Sequence, residues 1–485
     1  ALHGTINVLL PGIDTPPQAA LELGANEFWR VSGQFAAAGG TSAGLVHADD
    51  GGFRDDSGYR QTKAYASHAL DTESGSLTFS LAASDLDQQT AGFILGFDAY
   101  KDPVLRKQNL NPEAFRLARS QRLAAHWQRP GRVNLDIRPF LRHSDMEFLQ
   151  HFLPGKPLEE NGHTSAGVLT SISWDSGPFA TVAGVDLEWA DVFLRQTQLG
   201  ETEGSDFLRE TRPAGKHYDY RVAGVSAAAF VQTEYPVNDR LTLSAGLRGE
   251  HVRYDYDNRM LDGNTRDDGT PSGVGGCLYT RPADRSDTFN NIAPKLGGLL
   301  RLGGETVAYL NAARGFRAPQ MTELYRLQSG QLVSDLDSEA VDSLEAGVRT
   351  AGERWQLDAS VFLMRKKDSV YRDADGFNVT GGRSRHRGME FSWNWQLHEF
   401  WQFAAEGTWA LHQYDFDVVA ARGETFVSGN DVDSAPRWFG NAELSFDAGG
   451  RTSAALQWIA MGRYYLDAEN QHTYPGHDIL NMRVG

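Results

Sequence analysis

The chain has 485 residues, beyond the size at which one hydrophobic core keeps growing, so it is either several domains or one large repetitive architecture. Aromatic residues make up 11% and glycine occurs 51 times, yet the mean hydropathy is -0.44 and no run of about 18 apolar residues occurs, which excludes membrane-spanning helices but not strands that alternate apolar and polar positions. The balance of 46 Lys and Arg against 63 Asp and Glu, a formal charge of -17, repels phosphate backbones and sets nucleic-acid binding aside.

The opening residues, Ala1 to Val8, have no basic region ahead of an apolar core, so no signal peptide is read there. From about residue 19 onward period-2 alternation dominates. Expected strands at Val133 to Leu141, Phe179 to Trp189 and Leu241 to Gly249 carry Asp136, Arg138, Asp186, Glu188, Arg248 and Glu250 on their polar sides. Further along, Trp355, Leu357, Ala359, Val361 and Leu363 share one face while Gln356, Asp358 and Ser360 share the other. Met389, Phe391, Trp393, Trp395 and Leu397 alternate with Glu390, Ser392, Asn394 and Gln396, and the stretch from Trp401 to Leu411 repeats the pattern.

A soluble sandwich also alternates, so the connections have to decide. Tight turns at Pro130-Gly131-Arg132, Gly177-Pro178, Asn238-Asp239, Gly303-Gly304-Glu305, Gly352-Glu353 and Ala448-Gly449-Gly450 take turns with long polar segments. Those segments lie near 97–114, 152–163, 198–220, 257–289, 326–340, 373–386 and 415–435. Short turns at one rim and long loops at the other are what an outer-membrane barrel needs, since only its outer rim meets ligands. The fold class expected is therefore all-β, a transmembrane antiparallel β-barrel of about twenty strands whose odd-numbered strands run outward. Trp29, Trp174, Trp355, Trp401 and Trp438 fall near short turns and Tyr254, Tyr371 and Tyr414 near long segments, as interfacial aromatic rings would, although each could equally be a core aromatic.

The run Ala313-Arg314-Gly315-Phe316-Arg317-Ala318-Pro319-Gln320-Met321-Thr322-Glu323-Leu324-Tyr325 resembles the most distinctive barrel segment of the TonB-dependent receptors. It is followed, as in that family, by Leu336 to Glu339 and by Ser343-Leu344-Glu345-Ala346-Gly347-Val348-Arg349. Arg385 to Phe391, Ala435-Pro436-Arg437 and Tyr474 to Arg483 are similar to later family strands, and Ala1 to Pro11 looks like the last strand of the family's plug. The resemblance implies a plug remnant at 1–12, a barrel over 19–485, and an expected total of 22 strands of which the last are missing, so that the chain alone is expected neither to insert stably nor to transport. It implies energised uptake of a scarce, bulky nutrient, most often a ferric siderophore, across the outer membrane of a Gram-negative bacterium. The implied partners are TonB, through a region upstream of residue 1, together with outer-membrane lipid and lipopolysaccharide. No cofactor and no metal are implied.

Two groups of residues near the long segments are candidate ligand contacts. Arg209, Arg212, Lys216, His217, Tyr218, Tyr220 and Arg221 mix cations with aromatics, which suits an anionic aromatic iron chelate through charge pairing and stacking. A solvated loop forming surface ion pairs with Glu210 and Asp219 would have the same composition. Arg253, Tyr254 and Tyr256, with Glu323, Tyr325 and Arg326, form the second group, for which interfacial anchoring or loop packing is the alternative. Asp255, Asp257, Asp262, Asp267 and Asp268 lack the ordered spacing of a calcium loop and read as a solvated acidic stretch. His143 and His151, with Asp145 and Glu147 between them, read as scattered lumen polar residues rather than a metal site, and the lone Cys277 can form no internal disulfide.

An enzyme would need a phosphate cradle, a nucleophile elbow or a metal-binding helix, and none is present in the sequence. A passive porin or surface-adhesin barrel is the competing non-enzymatic reading. Haem, cobalamin or oligosaccharide are the alternative cargoes of an energised transporter. The sequence upstream of residue 1 separates transporter from porin, and induction under iron starvation separates an iron chelate from the other cargoes.

Overall fold

The computed structural model describes residues 15–37, 39–449 and 452–485, and the expected plug strand at 1–12 lies outside the described residues. Twenty long strands make one antiparallel sheet in which each strand pairs with its neighbours in sequence, as expected. In chain order they are β1 Gln18–Leu23, β2 Trp29–Ala37, β3 Thr41–Asp50, β4 Tyr59–Thr72 and β5 Gly75–Gln89, then β6 Phe115–Arg129, β7 Val133–Leu149, β8 Leu158–Ser176, β9 Phe179–Gln198 and β10 Gly215–Pro236. The second half comprises β11 Leu241–Asn258, β12 Arg285–Gly303, β13 Thr306–Arg317, β14 Glu339–Ala351 and β15 Trp355–Arg372, followed by β16 Asn378–His398, β17 Trp401–Tyr414, β18 Trp438–Asp447, β19 Ser453–Met461 and β20 His477–Val484. Two short helices, α1 Asp206–Thr211 and α2 Met321–Tyr325, lie in connections that follow odd-numbered strands.

One face of the sheet carries large apolar side chains that nothing among the described residues covers. Leu296 is 62% exposed, Leu363 58% and Met389 51%, and Val185, Leu187 and Trp189 repeat this along β9. A contiguous belt of this kind is too large for a water-facing surface and requires lipid. Among the described residues no helix is long and apolar enough to cross a membrane, so the strands alone do it. The opposite face is polar and packs aromatic rings over cross-strand glycines. Tyr309 lies directly across from Gly347, where a Cβ would meet its ring at 2.4 Å, and Phe362 sits over Gly388 in the same way. The resemblance residues Glu345 and Gly347 thus form the seat of Tyr309, whose hydroxyl donates to the Glu345 carboxylate at 2.9 Å.

Only about 9–11 residues of a tilted strand are needed to cross a bilayer, whereas β10 has 22 residues and β16 has 21. The excess stands at the end where odd-numbered strands finish. On β9 and β10 the large apolar row is interrupted after the cross-strand pair Trp189 and Val225: the next pair on that face is Asp191 and Ala223, and Asp191 forms an ion pair at 3.1 Å with Arg221, one step further along β10. Beyond that level neither face needs to be apolar, and this corrects several expected loops. Residues 378–386 belong to β16, so the expected segment 373–386 shrinks to a connection at 373–377, and 198–220 shrinks to 199–214. Alternation disappears there while the ladder of hydrogen bonds continues.

The aromatics also divide differently. Trp174, Trp355 and Trp401 do lie beside short turns, but Trp438 starts β18 directly after the long connection 415–437, and Trp29 follows a connection on the same rim. Tyr254, Tyr371 and Tyr414 face inward and pack in two apolar clusters under the long connections, so they are not lipid-interface anchors.

Candidate functional site

The long connections build a shell over the lumen, and its first support is the segment from Gly315 to Tyr325. Arg317, at the end of β13, donates to both carboxylate oxygens of Glu323, at 3.0 and 3.1 Å, and to Glu339 at 3.0 Å. Glu323 also accepts from the Gln320 backbone N–H at 2.6 Å, closing a capping box at the start of α2. Lys366 on β15 adds a second cation 3.2 Å from Glu339. This network turns the chain inward, so that Leu324 and Tyr325 are fully buried, with the Tyr325 ring stacked on Tyr256 and its hydroxyl donating to Asp287 at 2.8 Å. Tyr220 and Tyr254 pack in the same cluster.

A two-residue ladder, Tyr279–Thr280 against Leu327–Gln328, clamps connection 259–284 to connection 318–338. Arg281 is buried beside it and satisfied by backbone carbonyls, donating to Leu261 at 2.7 Å and to Thr265 at 2.9 Å. Cys277 is fully buried, and burial pushes its thiol pKa up, which leaves it protonated and unreactive. The acidic residues take separate partners: Asp267 accepts from the Lys216 backbone, Asp268 caps Thr270 and Asp255 pairs with Arg253. Among the described residues no group of three or more His, Cys, Asp or Glu side chains converges as a metal site.

His217 stands above the apolar band, fully buried and stacked on Tyr279. Its Nε2–H donates to the Pro213 carbonyl at 2.8 Å while Nδ1 has no partner, so the neutral ring fits and a second proton would not. Burial chiefly, with Arg212 and Arg281 nearby, lowers its pKa from 6.5 to about 4. The unfolded shell then binds a proton that the folded shell refuses. Stability from this residue is complete above 6.5 and is lost as pH falls toward about 4, at up to about 1.4 kcal/mol per pH unit. Limited proteolysis of the shell between pH 7 and pH 4 is expected to accelerate with acidification in the native protein and to lose that pH dependence in His217→Gln.

Beneath the clamp lies a cavity of about 620 Å³. Its walls come from distant parts of the sheet, with Phe148 of β7, Gln196 of β9, Tyr218 of β10, Tyr371 of β15 and Asn378 of β16 on one space, as only a sheet curled around a lumen allows. Four guanidinium groups line it, from Arg212, Arg326, Arg372 and Arg422, against one carboxylate, Glu323, which is already engaged by Arg317. Arg326 spans the mouth to Glu159 on β8 at 2.9 Å and lies over the Tyr218 ring. Arg212 has no carboxylate partner among the described residues, its Nε is buried without an acceptor, and desolvation lowers its pKa. Arg372 and Arg422 are exposed to the cavity and pair with no acid among the described residues; Arg422 is held there by a left-handed backbone with φ 61°. Tyr218 donates its hydroxyl to the Leu327 carbonyl at 3.0 Å, and burial pushes its pKa up to about 12, so it stays a neutral donor.

Of the sequence candidates, this cavity gathers Arg212, Tyr218, Glu323 and Arg326. His217, Tyr220, Tyr254 and Tyr325 form the packed layer around it. Arg209 lies on α1, paired with Asp206 and Glu201 outside the cavity. Arg221 and Arg253 sit on the outward face, opposite in strand parity to Tyr220 and Tyr254, and are neutralised by Asp191 and Asp255. The sequence reading missed Arg372, Arg422 and Tyr279, and placed Glu323 and Tyr325 as ligand contacts although their polar atoms are used to fold the shell.

Residues 20–485 match the sequence model of the family described as TonB dependent receptor-like, beta-barrel. The fold is similar to that of the siderophore receptor PiuA from Acinetobacter baumannii, with a TM-score of 0.75 at 10% identity over 98% of this chain and 76% of that one. It is also similar to the ferric-catecholate import receptor Fiu from E. coli K12, with a TM-score of 0.74 at 13% identity over 98% and 75% of the two chains. The ferric yersiniabactin uptake receptor FyuA from Yersinia pestis gives a TM-score of 0.72 at 14% identity over 97% and 72%. At such identities the likeness carries the fold alone.

Proposed function

The chain belongs to the TonB-dependent receptor family, and from that premise we propose that its barrel takes up a ferric siderophore, specifically an anionic, aromatic iron chelate bound in the arginine-lined mouth. As a member of that family it is an outer-membrane protein whose uptake depends on TonB. The observation that carries the choice of cargo is the excess of cation in the cavity. Three of its four guanidinium groups have no carboxylate partner among the described residues, and for Arg212, whose Nε is buried without an acceptor, lacking a counter-charge is costly unless a bound anion completes it, with Arg372 and Arg422 exposed to the same space. Tyr218, Tyr279 and Tyr371 supply aromatic surface beside those charges. The names of similar structures, which include receptors for siderophores, a ferric catecholate and ferric yersiniabactin, point the same way.

An oligosaccharide receptor would need amides and carboxylates facing the sugar hydroxyls rather than unpaired guanidinium groups. A passive pore would need an open mouth, whereas connection 318–338, clamped to connection 259–284, reaches over to β8 through the Arg326–Glu159 ion pair. The test is a binding titration of the full-length protein with an anionic ferric catecholate, its iron-free form and a neutral oligosaccharide. Tight binding of the ferric catecholate alone, weakening as salt is raised, is expected. Failure of every ferric chelate to bind, or equal binding of the oligosaccharide, overturns the reading.

A further inference from the structure

We propose a site for a monovalent copper ion on the inner face of the barrel wall, ligated by Nδ1 of His386, Nδ1 of His412 and the thioether of Met364. It goes beyond the uptake reading and is independent of the cargo. The three residues form one row across three strands. Met364 of β15 is the direct ladder partner of His386 of β16, and His386 is the direct partner of His412 of β17. All three line a cavity of about 580 Å³, together with Phe416, Phe426 and Val432 of the connection that follows β17. Directly opposed residues have their Cβ atoms about 4.5–5.5 Å apart, and an unbranched Met side chain with three rotatable bonds spans that distance readily.

The two imidazoles already stand as paired ligands, with their Nδ1 atoms 2.8 Å apart and the rings inclined at 54°. Ser384 Oγ lies 2.9 Å from Nε2 of His386. By accepting the Nε2 proton it leaves Nδ1 with a bare lone pair and fixes the ring, the support that a metal-bound His ordinarily has. Without metal, that lone pair accepts from Nδ1–H of His412. A metal takes the place of this shared proton, which moves to Nε2 of His412, a nitrogen with no hydrogen-bond partner among the described residues; both rings stay neutral and no proton is released. Two nitrogens on a tetrahedral ion at about 2.0–2.1 Å stand about 3.3 Å apart, so the rings need to open by about 0.5 Å.

The choice of ion follows from the ligands at hand. Among the described residues no carboxylate joins the histidine pair. Glu339 is held by Arg317 and Lys366, Asp431 by Arg437 at 2.8 Å, and Glu390 lies four residues down β16 from His386, roughly 13 Å away. Lys366, two positions along β15 from Met364, is the cation of this wall and is kept by Glu339 at 3.2 Å. Two imidazoles and a thioether leave a divalent ion unneutralised, and the soft sulfur selects Cu(I) over zinc and iron. Val341, Phe362 and Val432 around the row offer no oxygen ligand from their side chains to a hard ion.

The test uses the full-length protein in detergent, dialysed without oxygen against copper kept as Cu(I) by ascorbate and, separately, against Zn(II). Bound metal is counted by elemental analysis, and the copper ligands are read by X-ray absorption. One Cu(I) per chain is expected to be lost in His386→Gln and in His412→Gln, with Zn(II) content the same in native and variant proteins. Met364→Leu, which keeps the side-chain volume, is expected to weaken Cu(I) binding roughly tenfold or more and to remove the sulfur scatterer from the spectrum. Retained heat-modifiable migration on a gel shows that each variant has folded, and Met364→Leu carries the test if the histidine variants do not fold. Equal Cu(I) content in native and variant proteins, a sulfur signal unchanged in Met364→Leu, or a Zn(II) ion lost together with His386 each overturns the site.

Discussion

Replacing Glu339 by alanine is expected to destabilise the extracellular shell by about 3–5 kcal/mol while leaving the membrane-spanning ladder intact. Glu339 is 3% exposed at the outer end of β14 and accepts from Arg317 at 3.0 Å and from the Val370 backbone N–H at 3.1 Å, with Lys366 at 3.2 Å. Burial by itself would raise its pKa, yet these donors and the Lys366 charge hold it below the usual carboxylate value. Removing the carboxylate strands Lys366 and half of Arg317 in a dry space, and Arg317 is the group that fixes α2 through Glu323. Hydrogen exchange should read the change directly. Backbone amides of 321–327 are expected to lose protection by a factor of about 100 or more, with those of β14 and β15 below the network unaffected. Unchanged protection would mean that the Arg317–Glu323 pair and the Tyr325 core hold the shell without Glu339.

How far the sequence disclosed this molecule depended on where the solvent changes. Within the bilayer each strand has one face in lipid and one in water, and the alternation of Val361 and Leu363 with Ser360 and Phe362 follows from that contrast. Strand count and the placement of long connections were therefore legible. Above the bilayer both faces meet water or folded loops, so stretches such as 378–386 resemble loops although they are strand. The same parity could have separated candidates that adjacency joined: Tyr220 and Arg221 are neighbours in sequence, as are Arg253 and Tyr254, and neighbours on a strand point to opposite faces. A register irregularity between Lys216 and Tyr218 breaks even that rule at the outer end of β10, which is why His217 and Tyr218 are both buried.

The inward fold of the shell was not legible at all. Arg372 ends β15 and Arg422 lies in the long connection after β17, and nothing local marks either as facing the cavity that also holds Arg212. Their convergence depends on contacts far apart in the chain, such as Arg326 with Glu159 and Tyr218 with the Leu327 carbonyl. What the sequence did offer was composition: arginine beside aromatic residues in a chain whose formal charge is -17. A locally cationic mouth in a strongly acidic protein is the arrangement that draws an anionic ligand to one place while the remaining surface repels it.

Arg212 and Arg422 are where that arrangement should be easiest to break. The double replacement Arg212→Gln with Arg422→Gln is expected to weaken binding of an anionic ferric chelate on the order of 100-fold in the full-length protein, because each loses a charge-assisted hydrogen bond worth about 1.5–3 kcal/mol. Neither guanidinium holds a carboxylate of the shell among the described residues, so the fold should survive and the loss should appear in affinity rather than in protease resistance. Arg326 is a poorer choice, since removing it would leave Glu159 buried without its cation. Arg221→Gln and Arg253→Gln, on the outward face, are expected to leave affinity unchanged. The dependence of affinity on salt should also flatten in the double variant, because two of the charges that attract the ligand are gone. If affinity fell equally in the outward pair, attraction would be a property of the whole surface and the cavity would lose its special standing. If it fell in none of them, the cargo would be uncharged and the choice of an anionic chelate would be wrong.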